Sequence, residues 1–219
     1  MRSLMKVPKS HPRYLSLKTR DKIVEGVKKG ITSIHGLLAH GRGEAFDYII
    51  GEKTTSLAKK QIKKAAKMLV KAKYPVISVN GNVAALSAKD IVKLSKVIPA
   101  KLEVNIFHSS KKREREIANY LKKHGAKEVL LPGKGIVKYI EHNRKFCNLL
   151  GISKADVVFV PLEDGDRCQA LRKMGKKVIT VDLNAKSRTA QAASVTIVDN
   201  IIRILPLLIK EIESFRKRN

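Results

Sequence analysis

Short apolar runs recur along the second two-thirds of the chain, at 75–80, 102–107, 128–131, 156–161, 177–182 and 194–198. Several are apolar at successive positions, as in Val-Val-Phe-Val and Val-Ile-Thr-Val. That is the pattern of strands covered on both faces, as in a parallel sheet. Stretches with helical spacing and end signals lie between them. Ser87 followed by Asp90 reads as a capping box, and Ser110 opens a helix that closes at Gly125. In that helix Ile117, Tyr120 and Leu121 form a core-facing stripe, with Lys111, Lys112, Arg113 and Arg115 elsewhere on the surface. The βαβα alternation predicts an α/β fold, Rossmann-like, with a mainly parallel sheet flanked by helices.

Before the first strand the spacing is helical throughout, over 17–29 closed by Gly30, then 34–50, then 56–73. No Pro/Gly/Ser-rich linker follows. The expectation is therefore a single α/β domain over 1–219, with a mainly helical N-terminal region to about 73 and a Rossmann-like core from about 74. No internal repeat or low-complexity segment interrupts it.

A content of 43% hydrophobic and 30% charged residues is that of a globular chain. Lys+Arg 46 against Asp+Glu 19 leaves +27, a field that draws anions such as nucleotides, phosphorylated acids, nucleic acid or acidic lipid. The cations are spread over nearly every helix, aromatic residues are 5% and Trp is absent. Nucleic acid is therefore not the expected partner, because single-strand grooves rely on aromatic stacking. Cys147 and Cys168 have neither disulfide-type nor metal-type spacing, which points to a reducing cytoplasm. The basic N-terminus lacks an apolar signal core, and no apolar run reaches about 18 residues, so neither export nor a membrane span is expected.

Candidate chemistry lies at a few loops. At 40–52, glycines flank Arg42 ahead of a helical pattern. Such amides, a helix N-terminus and a guanidinium fork suit a phosphate, although a plain helix-to-helix turn explains the same residues. Arg13, Lys18 and Arg20 lead into the first helix, either as anion ligands or as a solvated basic end. Asn80-Gly81-Asn82 ends the first strand, where open α/β sheets bind ligands; a tight turn is the alternative. Asp182-Leu183-Asn184 ends a later strand and precedes Ser187-Arg188-Thr189, a set able to meet ribose hydroxyls and phosphates. Gly133-Lys134-Gly135 reads as a further phosphate loop or a simple turn. P-loop and G-x-G-x-x-G fingerprints are missing. His11, His35, His40, His108, His124 and His142 show no ligand spacing, so no protein-held metal is predicted. Cys147, in a stretch read as helical, reads as a small buried residue rather than a nucleophile.

Taken in order, HPRYLSL, HGRGEAFDYIIGE, PVISVNGNVAAL, LEVNIF and VDLNAKSRTAQAASVTIVDN resemble the archaeal phosphopantothenate synthetases, also called 4-phosphopantoate–β-alanine ligases. The likeness runs from about residue 11 to 208. It implies that ATP, 4-phosphopantoate and β-alanine become 4′-phosphopantothenate, AMP and pyrophosphate through an acyl-adenylate. By the same resemblance Arg20 and Arg42 are phosphate ligands of ATP, and Asp182, Leu183 and Asn184 hold the nucleoside. Arg188 with Thr189, and Asn200 with Ile201, complete the ATP site. Arg42, Asn80 and Asn82 are the expected catalytic set, the asparagines on the phosphopantoate side. Mg²⁺ would accompany ATP, and the chain would be a cytoplasmic homodimer, with Arg20 and Arg42 acting in cis or across subunits. The alternatives are a basic nucleic-acid-binding module and a nucleotide-dependent enzyme acting on another phosphorylated acid.

Overall fold

A computed structural model describes residues 7–107 and 110–218. Helices α1 (Tyr14–Lys28), α2 (Ile34–Ile49) and α3 (Ser56–Val70) precede β1 (Pro75–Val79), α4 (Gly81–Val97), β2 (Lys101–Val104) and α5 (Lys111–Lys123). A hairpin of β3 (Gly135–Ile136) and β4 (Phe146–Cys147) follows. The chain then alternates through β5 (Val157–Phe159), α6 (Gly165–Lys173), β6 (Lys177–Val181), α7 (Arg188–Ala192), β7 (Val195–Ile197) and α8 (Ile201–Arg218).

The main sheet has the order β2-β1-β5-β6-β7, and every pairing in it is parallel. After β1 the chain moves outward to β2, then returns to the other side of β1 for β5 and the later strands. The order therefore reverses between β1 and β5, which opens a crevice beyond their carboxyl ends. The run at 128–131, expected as a full strand, makes only a single bridge between Leu130 and Glu103, with Leu130 N–H on Leu102 O at 2.8 Å. Pro132 follows at once, and its missing N–H gives the ladder nothing to continue with.

Strand residues alternate between two cores. Ile77, Val79, Phe159, Ile179 and Val181 face the larger, with Ile23 of α1, Ile62 and Leu69 of α3, Ile91 of α4, Ile117 of α5 and Leu205 of α8. Val76, Val158, Val160 and Val178 face the other, closed by Val137, Cys147, Ile152 and Leu171. Apolar residues on both faces explain the unbroken runs in the sequence. The leading helices thus share the sheet's own core.

Two expectations change here. Helix α4 begins at Gly81 rather than at Ser87, because Asn80 already caps it through Val83 N–H at 3.0 Å. Ser87 instead marks a break inside the helix, with φ −144° and ψ 27°. Cys147 lies in a strand, not a helix. A Cβ on Gly135 would stand 2.9 Å from both the Cys147 carbonyl and its Sγ, so glycine lets the two strands close on each other. The thiol is buried and burial pushes its pKa up to about 11, in keeping with an inert apolar residue. Among the described residues no helix is long and apolar enough to cross a membrane.

Candidate active site

The crevice at the reversal is built by two asparagines. Asn80 donates through Nδ2 to the carbonyls of Leu162, at 2.9 Å, and Pro161, at 3.3 Å, so it ties the end of β1 to the segment leaving β5. Asn82 donates to Gly36 O at 2.9 Å and accepts from the Thr32 hydroxyl, which fixes the start of α2 beside the start of α4. Both amides are spent on the protein, so they hold the walls in place. Two glycines permit that approach. A Cβ on Gly81 would stand 2.6 Å from Ile31 O, and one on Gly36 would collide with the Thr32 hydroxyl and the Asn82 amide oxygen.

Two helix N-termini consequently meet over one cavity of about 340 Å³: α2, capped by Ser33, and α4, capped by Asn80. First-turn amides have no partner within a helix, and the dipole makes that end positive, so paired N-termini suit an anion. His35, Arg113 and Arg144 also line the cavity, together with Glu163 and Asp164, both of which pair with Arg144. Arg113 is half-buried, contrary to the expectation of a surface cation, and burial lowers its pKa.

Behind the crevice the charges are held in place rigidly. Arg144 is 3% exposed and pairs with Glu163 and Asp164, and its carbonyl accepts from Arg167 Nη1 at 2.6 Å. Arg167 is fully buried, and desolvation pulls its guanidinium down to about 10. Glu103 is also fully buried and accepts N–H bonds from Ile152 at 2.7 Å and Asn148 at 3.1 Å. Desolvation nonetheless pushes its carboxyl up to about 7. Apart from Glu163 and Arg167, which are four residues apart, its members lie on separate segments and come together only through the fold.

The expected nucleotide residues lie further along α2, from its middle onward. Gly41-Arg42-Gly43 is in the middle of this helix, so its amides are engaged in helical bonds, and the helix N-terminus is at Ser33. Arg42 is exposed. A Cβ on its neighbour Gly43 would touch Leu183 Cδ1 at 3.5 Å, so α2 runs beside the turn after β6. In that turn Asp182 accepts from Asn184 N–H at 2.9 Å and from the Ser187 hydroxyl. Arg20, on α1, donates to both oxygens of Glu44 at 2.8 Å, which sets it against the same helix. Asn200, capping position of α8, donates to Asp47 at 2.8 Å, and Ile201 beside it is buried. Arg203 grips Asp47 and Asp199 together. Arg188 bonds Gln169 at 3.1 Å, while the buried Thr189 donates to Glu163 O at 2.7 Å. Arg20, Arg42, Leu183 and Asn200 are thus brought to the middle of α2, with Arg188 and Thr189 across the loop from β5. Asn80 and Asn82 lie apart from them, at the first turn of α2.

A second cavity, about 270 Å³, opens between α1, α2 and α8 and is lined by His40, Asp47, Asn200 and Arg203. Burial lowers the pKa of His40. Among the described residues no group of three or more His, Cys, Asp or Glu side chains is arranged to hold a metal, and His108 lies outside them.

Fold and site together define an open α/β protein with a crevice at its topological switch point where two helix N-termini meet Arg113 and Arg144. The model of the phosphopantothenate/pantothenate synthetase family matches residues 57–219, and the chain belongs to that family. It is 51% identical over 210 residues to the 4-phosphopantoate–β-alanine ligase of Thermococcus kodakarensis, covering 94% of this chain and 80% of that one. With the ligase of the same name from Methanospirillum hungatei the identity is 51% over 201 residues, 91% and 82% of the two chains. The Methanosarcina mazei ligase is 49% identical over 211 residues, 96% and 83%.

Proposed function

We propose that this chain is an ATP-dependent 4-phosphopantoate–β-alanine ligase of coenzyme A biosynthesis. The observation that carries the reading is the cavity where the N-termini of α2 and α4 converge with Arg113 and Arg144, a site for a small phosphorylated acid. Phosphopantoate sits there with its phosphate at the two helix N-termini, while Asn80 and Asn82 keep the two helix ends in register. ATP lies along the middle of α2, its phosphates toward Arg42 and Arg20 and its nucleoside toward the 182–184 turn, with Arg188, Thr189, Asn200 and Ile201 around it. Arg20 must leave Glu44 to serve, a rearrangement that an arriving polyanion drives.

The chemistry needs no protein nucleophile. The carboxylate of phosphopantoate attacks the α-phosphorus of ATP, pyrophosphate departs, and the acyl-adenylate accepts the amine of β-alanine as AMP leaves. Alignment and charge neutralisation supply the rate. Nearby carboxylates fit a purely ligand-borne Mg²⁺: Asp47 and Asp199 are clamped on Arg203, and Glu44 is also held by the Ser16 hydroxyl and by Arg13. The ion would therefore enter on phosphate oxygens and water, where it offsets their charge.

The chain acts as a homodimer in this reading. Ile34, Leu38, Tyr48 and Ile49 of α2 are 66 to 77% exposed, an apolar face suited to a second copy. Light scattering of the parent and of Leu38→Glu tests this: a dimer and a monomer, respectively, are expected.

Incubation with ATP, β-alanine and either pantoate or 4-phosphopantoate, followed by AMP release, tests the activity. AMP with the phosphorylated acid alone is the expected result. ADP in place of AMP, or equal turnover of unphosphorylated pantoate, refutes the assignment.

A further inference from the structure

We propose that a cavity separated from the crevice by Arg144 is the subsite for the amine substrate, a short ω-amino acid. Its ammonium is held by Glu114 and the Asn105 amide oxygen, and its carboxylate by Lys111. The inference rests on the ligase reading above and assigns the place where the second substrate waits.

The cavity measures about 440 Å³ and opens where β2 ends and α5 begins. Ile106 and Arg144 line both it and the crevice, so the two spaces share a wall across which an amine can meet an activated carboxyl. Asn105 is 2% exposed, its N–H is bonded to Val79 O at 2.9 Å and its Nδ2 to Phe146 O at 3.4 Å. Its Oδ1 is buried and has no hydrogen-bond partner among the described residues. Such an oxygen is rare in a folded protein unless something outside the chain donates to it.

An ammonium is a group with three donors and no acceptor. The Glu114 carboxylate, its side chain 1% exposed, lines the same cavity and gives the charge that an amide oxygen lacks. At present Lys111 Nζ stands 3.4 Å from Glu114 Oε2 on a side chain 73% exposed. It is an ammonium on a flexible stem and marks the position that a ligand ammonium takes. Once displaced, Lys111 remains one helical turn from Glu114, about 5 to 6 Å between Cβ atoms. Both side chains line the cavity, so an ω-amino acid bridging them meets an anion at its amine end and a cation at its carboxylate end.

Glu114→Gln and Lys111→Ala, made in the full chain, test the assignment. The acyl-adenylate is generated from ATP and 4-phosphopantoate and trapped either by β-alanine or by hydroxylamine, a small nucleophile with no carboxylate to place. Both variants are expected to raise KM for β-alanine about ten- to a hundredfold, the loss of a charged contact, with hydroxamate formation within about twofold of the parent. An unchanged KM for β-alanine in both variants overturns the subsite, as does a parallel fall in hydroxamate. Should Glu114→Gln not fold, the exposed Lys111→Ala decides alone. A parent that yields neither AMP nor hydroxamate with phosphopantoate overturns the ligase reading itself, and the subsite with it.

Discussion

Arg203→Met removes the cation that fastens α2 to the start of α8, and its cost can be worked from the geometry. The guanidinium donates to Asp199 from Nε at 2.8 Å and to Asp47 from Nη1 at 3.2 Å, with Nη2 shared between the two acids. The Asp47 side chain is 6% exposed and that of Asp199 is 0% exposed. Without Arg203, two buried carboxylates keep only amide donors, Asn200 Nδ2 on Asp47 at 2.8 Å and Asn200 N–H on Asp199 at 2.6 Å. Removing one partner of a buried pair costs about 3–5 kcal/mol. Arg203 retains a solvent-facing edge, so the lower end applies. At roughly 2–4 °C per kcal/mol for a chain of this size, a fall in Tm of about 6–12 °C is expected by calorimetry at neutral pH. Combining Arg203→Met with Asp47→Asn should recover at least about 1 kcal/mol relative to additivity. A loss below about 2 °C, or strict additivity, would refute the clasp.

Other consequences are open to the same scrutiny. Arg42→Ala should lower ligation kcat/KM about ten- to a hundredfold, the value of a charged contact, while Tm stays put; an unaltered rate excludes the residue from the ATP site. Gly36→Ala drives a methyl group into Thr32 and Asn82 and should raise KM for phosphopantoate more than KM for ATP, measured by initial rates; equal changes in both would count against the placement. Glu103 keeps its proton in the folded chain up to about pH 7, whereas the unfolded chain releases it near the ordinary 4.5. Its contribution, about 3 kcal/mol, is therefore complete below pH 4.5 and disappears as pH rises to about 7. Denaturant unfolding across that window should show the decline, and Glu103→Gln should flatten it.

The parallel sheet was legible because Val157–Phe159 and residues 178–181 are buried on both faces, so their hydrophobicity is nearly continuous along the chain. Local chemistry was less reliable where two signals competed. Ser87 has a partner at Asp90, but Asn80 caps the helix first. Gly41 and Gly43 resemble a phosphate loop, yet Ser33 upstream starts a helix that runs through both. The Glu103, Arg144, Glu163 and Arg167 network could not be read at all. Each member is an ordinary charge in its own segment, and only the return of the chain past β1 places them together.

Helix α2 also constrains how this family can vary in length. Gly36 meets Asn82, Gly43 meets Leu183 and Asp47 meets Asn200, all from one side of a single rod. Adding or deleting one residue between 36 and 47 would turn everything beyond it by about 100° and unseat one set of partners or the other. The spacing therefore acts as a ruler between the start of α4 and the turn after β6.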